Sequence, residues 1–395
     1  MLRPVRRAGA VAGLLALAAV TAFGGPATAA PSKLKSPSQA MADAAKGGPG
    51  SPGGLKVVAD GLNNPRGIGF GPDGALYVAE SGSGGTGPCI KSPEDPEAES
   101  CFGRTGSVTR ITRHSQQRVL TGLPSLAEDG VAASGPVDLG FSGWTGYLLI
   151  GNPGGDTTTR ESIGPGAGRF GKLLKVDLRG IRAVADFPQF EGDNNPDNNL
   201  EEGGVDSNPN GLLVGRKSRY VTDAGGNDLL KVDRKGHISV VAVFPPLQPA
   251  PAPPDGALIP PQAVPTSVVR GPDGALYVGQ LTGFPFPPRG ANVYRVVPGH
   301  DPEVFEDGFT NIIDIAFDKR GRLYVLEIAT DGLLNVPEGQ LPVGRLVRVN
   351  KDGSRTTLAQ EGLNAPGGFV LGHGAAYITN NSILSGAGQV VKVAI

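Results

Sequence analysis

The chain has 395 residues, including 62 glycines and 36 prolines, and its formal net charge is −1. This near-neutral charge, without a basic stripe, argues against a nucleic-acid-binding protein. Without a period, so much glycine and proline would indicate disorder. Here the two residue types separate short apolar runs such as Leu76-Tyr77-Val78, as turns do in an all-β protein.

The N-terminus has the features of an export signal. Arginines at positions 3, 6 and 7 precede an apolar run over 8–23, and small residues at 27–29 form a cleavage site. The apolar run is short and broken by glycine, which disfavours a membrane anchor. We therefore predict a signal peptide over 1–29, a secreted mature protein without a membrane anchor, and a disordered leader over 30–54 that is rich in Pro, Gly, Ser, Ala and Lys.

The two cysteines, Cys89 and Cys101, flank a short acidic insertion. In an oxidising compartment this spacing predicts a disulfide that closes a loop.

A repeated unit organises residues 55–395. Each unit contains an apolar strand, a tight turn such as Gly71-Pro-Asp-Gly74, and a second apolar strand with a polar end. The units start at Pro65, Pro136, Pro209, Pro265, Ile312 and Pro366. Spacings of 47–73 residues fit one four-stranded blade with variable loops, so the repeat predicts a six-bladed β-propeller of the NHL/gluconolactonase kind.

The last unit lacks a fourth strand of its own. The segment 55–62 resembles the fourth strands of other units, and we predict that it completes the last blade and closes the ring. The turns within strand pairs are tight, whereas long insertions (81–106, 153–170, 191–206, 247–264, 281–290 and 328–344) fall on the opposite face. Long loops on one face of a rigid scaffold predict that binding occurs there.

Polar residues recur at two positions of the unit. The second strand ends at Glu80, Asn152, Asp223, Gln280, Glu327 and Asn380. Near the start of the first strand lie Arg66, Asp138, Asn210, Ser267 and Asp314. In a propeller both sets are predicted to surround the mouth of the central channel, with Asp138 and Asp314 on opposite blades.

Three interpretations of this ring stay open. The side chains bind a small polar ligand, they hold a hard cation such as Ca²⁺ through Asp138, Asp314 and Glu327, or they are polar because water fills the channel. The acidic stretch 191–206 lacks EF-hand spacing and is interpreted as a solvated loop, with weak calcium binding as a side possibility.

The four histidines lie away from this ring. His114, His237 and His300 are predicted in turns between third and fourth strands, and His373 in a turn between first and second strands. General-base catalysis by histidine at the channel is therefore not expected. An enzyme built on this chain would use carboxylates or a metal-bound water.

Several strings together resemble the ScyD/ScyE family of secreted propeller proteins. They include Asn63-Asn-Pro-Arg-Gly67, Asp206-Ser-Asn-Pro-Asn-Gly211, Asp223-Ala-Gly-Gly-Asn-Asp228 and Gly279-Gln-Leu-Thr-Gly-Phe-Pro-Phe-Pro287. The resemblance covers about Leu55 to the C-terminus. It implies an exported propeller and no established reaction.

Two enzyme families share parts of this pattern. Calcium-dependent lactonases of the gluconolactonase type carry Pro-Asn-Gly in a first strand, as Pro209-Asn210-Gly211 does here, but Arg66 and its neighbours replace their glutamate. Quinoprotein sugar dehydrogenases need a central histidine that this chain lacks. The sequence favours a monomer that binds an unknown small molecule or extracellular partner at the channel; the alternative is a metal-assisted lactonase or esterase.

Overall fold

A computed structural model describes residues 54–91, 99–198, 205–337 and 339–395 of the chain. The predicted signal peptide and all of the predicted leader except Gly54 lie outside the described residues. No helix within the described ranges is long and apolar enough to cross a membrane. These described residues fold as antiparallel sheets, as the repeat predicts, and also contain two short α-helices.

The first strand, β1 (Lys56–Leu62), precedes sheet 1 and pairs elsewhere. Sheet 1 contains, in chain order, β2 (Pro65–Phe70), β3 (Leu76–Glu80), β4 (Cys89–Lys91), β5 (Glu99–Ile111), β6 (Gln116–Glu128) and β7 (Val131–Ser134). Sheet 2 contains β8 (Pro136–Ser142), β9 (Thr145–Ile150), β10 (Lys172–Asp177) and β11 (Gly180–Asp186). Sheet 3 contains β12 (Pro209–Val214), β13 (Arg219–Asp223), β14 (Asp228–Val232) and β15 (Ile238–Val243).

A small hairpin, β16 (Ala250–Ala252) with β17 (Ala257–Ile259), precedes sheet 4. Sheet 4 contains β18 (Pro265–Arg270), β19 (Leu276–Gln280), β20 (Ala291–Val296) and β21 (Glu303–Phe309). Sheet 5 contains β22 (Ile312–Phe317), β23 (Leu323–Glu327), β24 (Arg345–Val349) and β25 (Arg355–Ala359). Sheet 6 contains β26 (Gly368–Gly372), β27 (Ala375–Asn380) and β28 (Gly388–Ala394), and β1 pairs antiparallel with β28.

The tight turns follow from their residues. In the first hairpin Gly71 N–H donates to the Ala75 carbonyl, Gly74 has a φ of +75°, and the Asp73 side chain accepts from Ala75 N–H. Glycine is favoured at such a positive φ because it has no Cβ. The same bonds recur in the 271–275 turn.

The hydrophobic core lies between neighbouring sheets. Leu148 and Ile150 of sheet 2 pack with Ala79 and Val108 of sheet 1, and a comparable buried cluster lies between each further pair of successive sheets and between sheets 6 and 1. The first strand of each sheet contacts the first strand of the next, and β26 contacts β2. Successive antiparallel sheets with their first strands together are the arrangement of a β-propeller.

The insertions contain more regular structure than expected. The short strand β4 lies within 81–106 and pairs with β5. Strands β5 and β6 have thirteen residues each and form one long hairpin. Phe102 on this extension packs against Phe170, which lies two residues before β10, so the added strand length buries aromatic surface. Helix α1 (Thr158–Ile163) and a 3₁₀ turn (Pro165–Ala167) lie within 153–170.

Helix α2 (Phe187–Asn194) overlaps the start of the acidic stretch, and a second 3₁₀ turn covers Leu333–Asn335. The predicted disulfide between Cys89 and Cys101 is present and joins β4 to β5.

Candidate ligand-binding site

A small cavity lies where the first strands of all six sheets meet. Its volume is about 40 Å³, which is room for two or three water molecules or one small polar group. The polar side chains around it come from five sheets: Arg66, Asp138, Asn210, Thr266, Ser267 and Asp314. Gly367 and Gly368 complete the lining from the sixth. All five residues predicted near the starts of first strands therefore line this cavity.

The two aspartates are held by backbone groups of neighbouring sheets. Asp138 Oδ2 accepts from Leu212 N–H at 2.7 Å, and Asp314 Oδ2 accepts from Phe369 N–H at 2.8 Å. The Ser267 hydroxyl donates to Asp314 Oδ1 at 2.6 Å. These bonds position both carboxyl groups before any ligand arrives.

Burial shifts the protonation of this pair. Desolvation, together with the negative charge of Asp314, raises the pKa of Asp138 to about 8. Desolvation raises the pKa of Asp314 to about 6, partly opposed by its bonds from Ser267 and backbone N–H groups. Two carboxyl groups whose pKa values lie near neutrality in one cavity are typical of functional sites.

Arg66 also lines this cavity. It is buried, and its guanidinium donates to the Ala133 carbonyl at 3.2 Å, while its Nε has no hydrogen-bond partner within the described part of the chain. Burial lowers the pKa of Arg66 to about 10, so it stays charged at neutral pH. Its charge is not among the causes that shift the pKa of either aspartate.

The residues at the ends of second strands lie elsewhere. None of the predicted Glu80, Asn152, Asp223, Gln280, Glu327 and Asn380 lines the cavity, and all are buried. The sequence predicts them at the mouth of the channel. In the structure, most of them instead hydrogen-bond the backbone just before the first strand of their own sheet. A buried backbone group needs such a partner, and this is why the strand ends are polar.

The two glutamates show this role most clearly. Glu80 accepts from Asn63 N–H at 2.7 Å and pairs with Arg118 at 2.9 Å. Glu327 accepts from Thr310 N–H at 2.8 Å and pairs with Arg345 at 2.6 Å.

Amides and an aspartate fill the same position in the other sheets. Gln280 donates to the Ala263 carbonyl, Asn380 accepts from Asn364 N–H, and Asp223 accepts from Asn208 N–H. Asn152 differs because it donates across to the Ser207 carbonyl before sheet 3.

The four histidines lie in the turns where the sequence predicts them. His114, His237 and His300 fall between third and fourth strands, His373 falls between β26 and β27, and all four are exposed. None of them lines the cavity.

The three residues predicted to hold a metal do not come together. Asp138 and Asp314 share the cavity, whereas Glu327 is bonded to Arg345 and Thr310 outside it. Over the described ranges no group of three His, Cys, Asp or Glu side chains is arranged to hold a metal ion.

A second acidic region lies between sheets 2 and 3. We call Glu191, Asp206, Asp223 and Asp228 the lateral cluster. The interpretation of 191–206 as a solvated loop is wrong for Glu191, which lies in α2 and is buried, and for Asp206, whose Oδ1 is buried. Desolvation and neighbouring acidic groups raise the pKa of Glu191 and of Asp206 to about 8. Asp228 follows Asp223 by five residues across a glycine-containing turn, and this hairpin spacing is the sequence feature that could have placed the two aspartates opposite each other.

Sequence comparison adds no family, because no family profile and no curated protein matches the chain. Solved structures do match it in shape. Virginiamycin B lyase from Staphylococcus aureus is 13% identical, with a TM-score of 0.45, and the match covers 87% of this chain and all of that one. The PQQ-bound aldose sugar dehydrogenase from Streptomyces coelicolor is 14% identical, with a TM-score of 0.44, over 88% and 99%.

A protein of unknown function from Bacteroides thetaiotaomicron is 10% identical, with a TM-score of 0.49, and the match covers 86% of this chain and 75% of that one. At these identities the similarity concerns overall shape, and the activities in these names belong to those proteins.

Proposed function

We propose that the protein is a secreted, six-bladed β-propeller of the ScyD/ScyE type that binds a small polar ligand at the central cavity. The cavity lining carries this proposal. Residues at or just before the start of the first strand of each of the six sheets line the cavity. A site assembled from six separate segments depends on the whole fold. Its polar groups are also held in place by bonds between sheets, which is the preorganisation that ligand binding favours.

The closed ring is supported by a hydrogen bond at every junction between sheets. At least one partner in each bond is a side chain from a strand or from the residue just after it. From the junction of sheets 1 and 2 to that of sheets 6 and 1, the bonds are Ser81 to the Pro136 carbonyl, Leu212 N–H to Asp138, Asn210 to the Thr266 carbonyl, Ser267 to Asp314, Phe369 N–H to Asp314, and Thr379 to the Arg66 carbonyl. The pairing of β1 with β28 then covers the edge of sheet 6. Six sheets with six junctions support six blades.

The chemistry of the cavity defines the ligand class. Two carboxyl groups accept hydrogen bonds and bind positive charge, and the limited volume admits only a compact group. A primary ammonium has three donors and this compact size, so we propose a ligand that carries one. Because ionisation of Asp138 adds negative charge, affinity for a cation should increase as pH rises through about 8.

Secretion is part of the proposal. A disulfide joins Cys89 to Cys101, and disulfides persist in oxidising compartments. The N-terminal sequence carries the features of a signal peptide. We propose that the mature protein functions outside the cell as a monomer.

The test uses methylammonium as the probe. At a pH of about 8.5, above the pKa of Asp138, methylammonium chloride should raise the Tm of the wild-type protein more than sodium chloride at equal ionic strength. Asp138→Asn and Asp314→Asn should remove the difference, and Asp301→Asn, on an exposed turn, should keep it. Equal Tm values in both salts for the wild type would contradict the ammonium-binding site.

The alternative is a metal-assisted lactonase or esterase. Its support is the pair Asp138 and Asp314, since carboxyl groups with pKa values of about 8 and 6 are suited to proton transfer near neutral pH. It predicts hydrolysis of simple lactones that is lost on chelation and restored by Ca²⁺. Hydrolysis that survives both chelation and Asp314→Asn would exclude it.

A further inference from the structure

The lateral cluster is built from three segments that the fold brings together between sheets 2 and 3. Glu191 comes from α2, Asp206 from the segment before β12, and Asp228 from the start of β14, directly opposite Asp223 on β13. In the turn 224–227 between β13 and β14, Gly225 lies beside Asp206 and Gly226 lies beside Glu191. This region is separate from the central cavity, and none of its carboxylates lines that cavity.

Several oxygens of this cluster are buried without a partner. Both carboxylate oxygens of Asp228, Oδ1 of Asp206 and Oε2 of Glu191 have no hydrogen-bond partner among the described residues. Asp228 is fully buried. Neighbouring Asp223 shows the contrast, because it accepts from the Ser207 hydroxyl at 2.6 Å and from the N–H groups of Asn208, Gly225 and Gly226.

Glycines make the room that these oxygens occupy. A Cβ on Gly225 would lie 2.6 Å from Asp206 Oδ1, and a Cβ on Gly226 would lie 3.0 Å from Glu191 Oε2. Neither glycine has a positive φ, so the backbone there does not itself require glycine. The two unpartnered oxygens therefore lie against consecutive residues of one turn.

Among the described residues, no basic side chain is a cause of the pKa shifts of Glu191, Asp206 and Asp228. The charges that act on Glu191, Asp206 and Asp228 come from other acidic groups, namely Asp156, Asp197 and Asp223. In sequence, the segment 199–204 adds two glutamates and no lysine or arginine. An isolated carboxylate is costly to bury, so it is normally paired, bound to a metal ion or held protonated, and the raised pKa values of Glu191 and Asp206 are the effect expected while no cation is bound.

We propose that the lateral cluster binds a hard divalent cation, Ca²⁺ in an extracellular setting, through Glu191, Asp206 and Asp228. The available ligands are all oxygens, which Ca²⁺ prefers and which Zn²⁺ or Cu²⁺ sites seldom use alone. Since no three carboxylates over the described ranges are already arranged as a metal-binding group, the ion draws these side chains toward it, and backbone or water oxygens complete its shell.

The test compares the Tm of the full mature protein in chelator with its Tm in about 1 mM CaCl₂, a concentration suited to extracellular calcium modules. We expect a rise of about 3 °C or more in the wild type. Asp228→Asn should lose this rise, because the substitution removes a carboxylate that the ion binds.

Two controls separate this site from the central cavity. Asp138→Asn and the exposed-turn variant Asp301→Asn should both keep the calcium response. Should Asp228→Asn not fold, Glu191→Gln tests the same loss of response. The proposal is overturned if Ca²⁺ leaves the wild-type Tm unchanged, if the response survives in the cluster variants, or if it disappears in Asp138→Asn.

Discussion

The central cavity and the lateral cluster both concentrate buried carboxyl groups, but their surroundings differ. In the cavity, Asp138 and Asp314 each accept backbone N–H bonds from the next sheet. In the lateral cluster, Asp228 is buried with no donor among the described residues. The comparison teaches that burial alone does not define a candidate cation site. A buried carboxyl group whose oxygens accept hydrogen bonds is already satisfied, whereas one without donors is a candidate for binding a cation.

The largest effect should come from the one member of the lateral cluster that is fully bonded. Asp223→Ala would leave the Ser207 hydroxyl and three backbone N–H groups without their acceptor. We expect a loss of about 3 kcal/mol or more in the free energy of unfolding, measured by urea denaturation. Asp223→Asn, which keeps an oxygen acceptor, should lose less. Equal losses would mean that these bonds do not carry the stability.

Gly225→Ala tests whether space beside Asp206 matters. The new Cβ would lie 2.6 Å from Asp206 Oδ1 and close to its carboxyl carbon, so the side chain must move. We expect a cost of about 2 kcal/mol from this overpacking, measured in chelator. The calcium response should fall with it. A matched Gly353→Ala, at a positive φ with open space around it, should lose stability but keep the calcium response.

The pH dependence of stability should report the central pair. The pKa of Asp138 is raised from 3.8 to about 8, so between these values the folded protein holds a proton that the unfolded chain releases. The stabilisation is complete below about pH 4 and is lost as pH rises toward 8, at no more than about 1.4 kcal/mol per pH unit from this group.

Asp138→Asn does not titrate, so the free energy of unfolding of this variant should depend less on pH between 5 and 8 than that of the wild type. Glu191 and Asp206 also make the free energy of unfolding decrease as pH rises, and the variant retains this contribution. Parallel curves for the two proteins would contradict a raised pKa at Asp138.

The smallest effect is expected for Asp314→Asn. The bonds from Ser267 and Phe369 go to different oxygens of Asp314, so the amide keeps an acceptor for only one of them, while it removes a buried negative charge. We expect a change of about 1 kcal/mol in the free energy of unfolding, by urea denaturation. A loss several times larger would show that the ionised carboxylate is a structural element of the fold.

Much of the strand order could be predicted from the sequence. Strand starts at Pro65, Pro136, Pro209, Pro265 and Ile312 agree with the structure, because proline and turn glycines delimit each apolar run. The sixth strand begins at Gly368, two residues after the predicted Pro366.

The placement of the polar residues was only half predictable. Side chains alternate between the two faces of a strand, so a regular register would predict which of them face the channel. In sheets 1 to 5 a register shift follows the first paired residue of the first strand, and this changes which side chains face the channel. Glu80 and Glu327 consequently bind loop backbone, while Asp138 and Asp314 face the cavity. The lateral cluster contains residues of α2 and of β14, which are far apart in sequence, so no local pattern predicts that they lie close together.

The most direct test of the central claim is a carboxyl-carbon NMR titration of aspartate-labelled protein with and without methylammonium. The signals assigned by their loss in Asp138→Asn and Asp314→Asn should titrate near pH 8 and 6 and should shift when methylammonium is added. If both signals titrate below pH 5, or if neither responds to methylammonium, the cavity is not the ligand site proposed here.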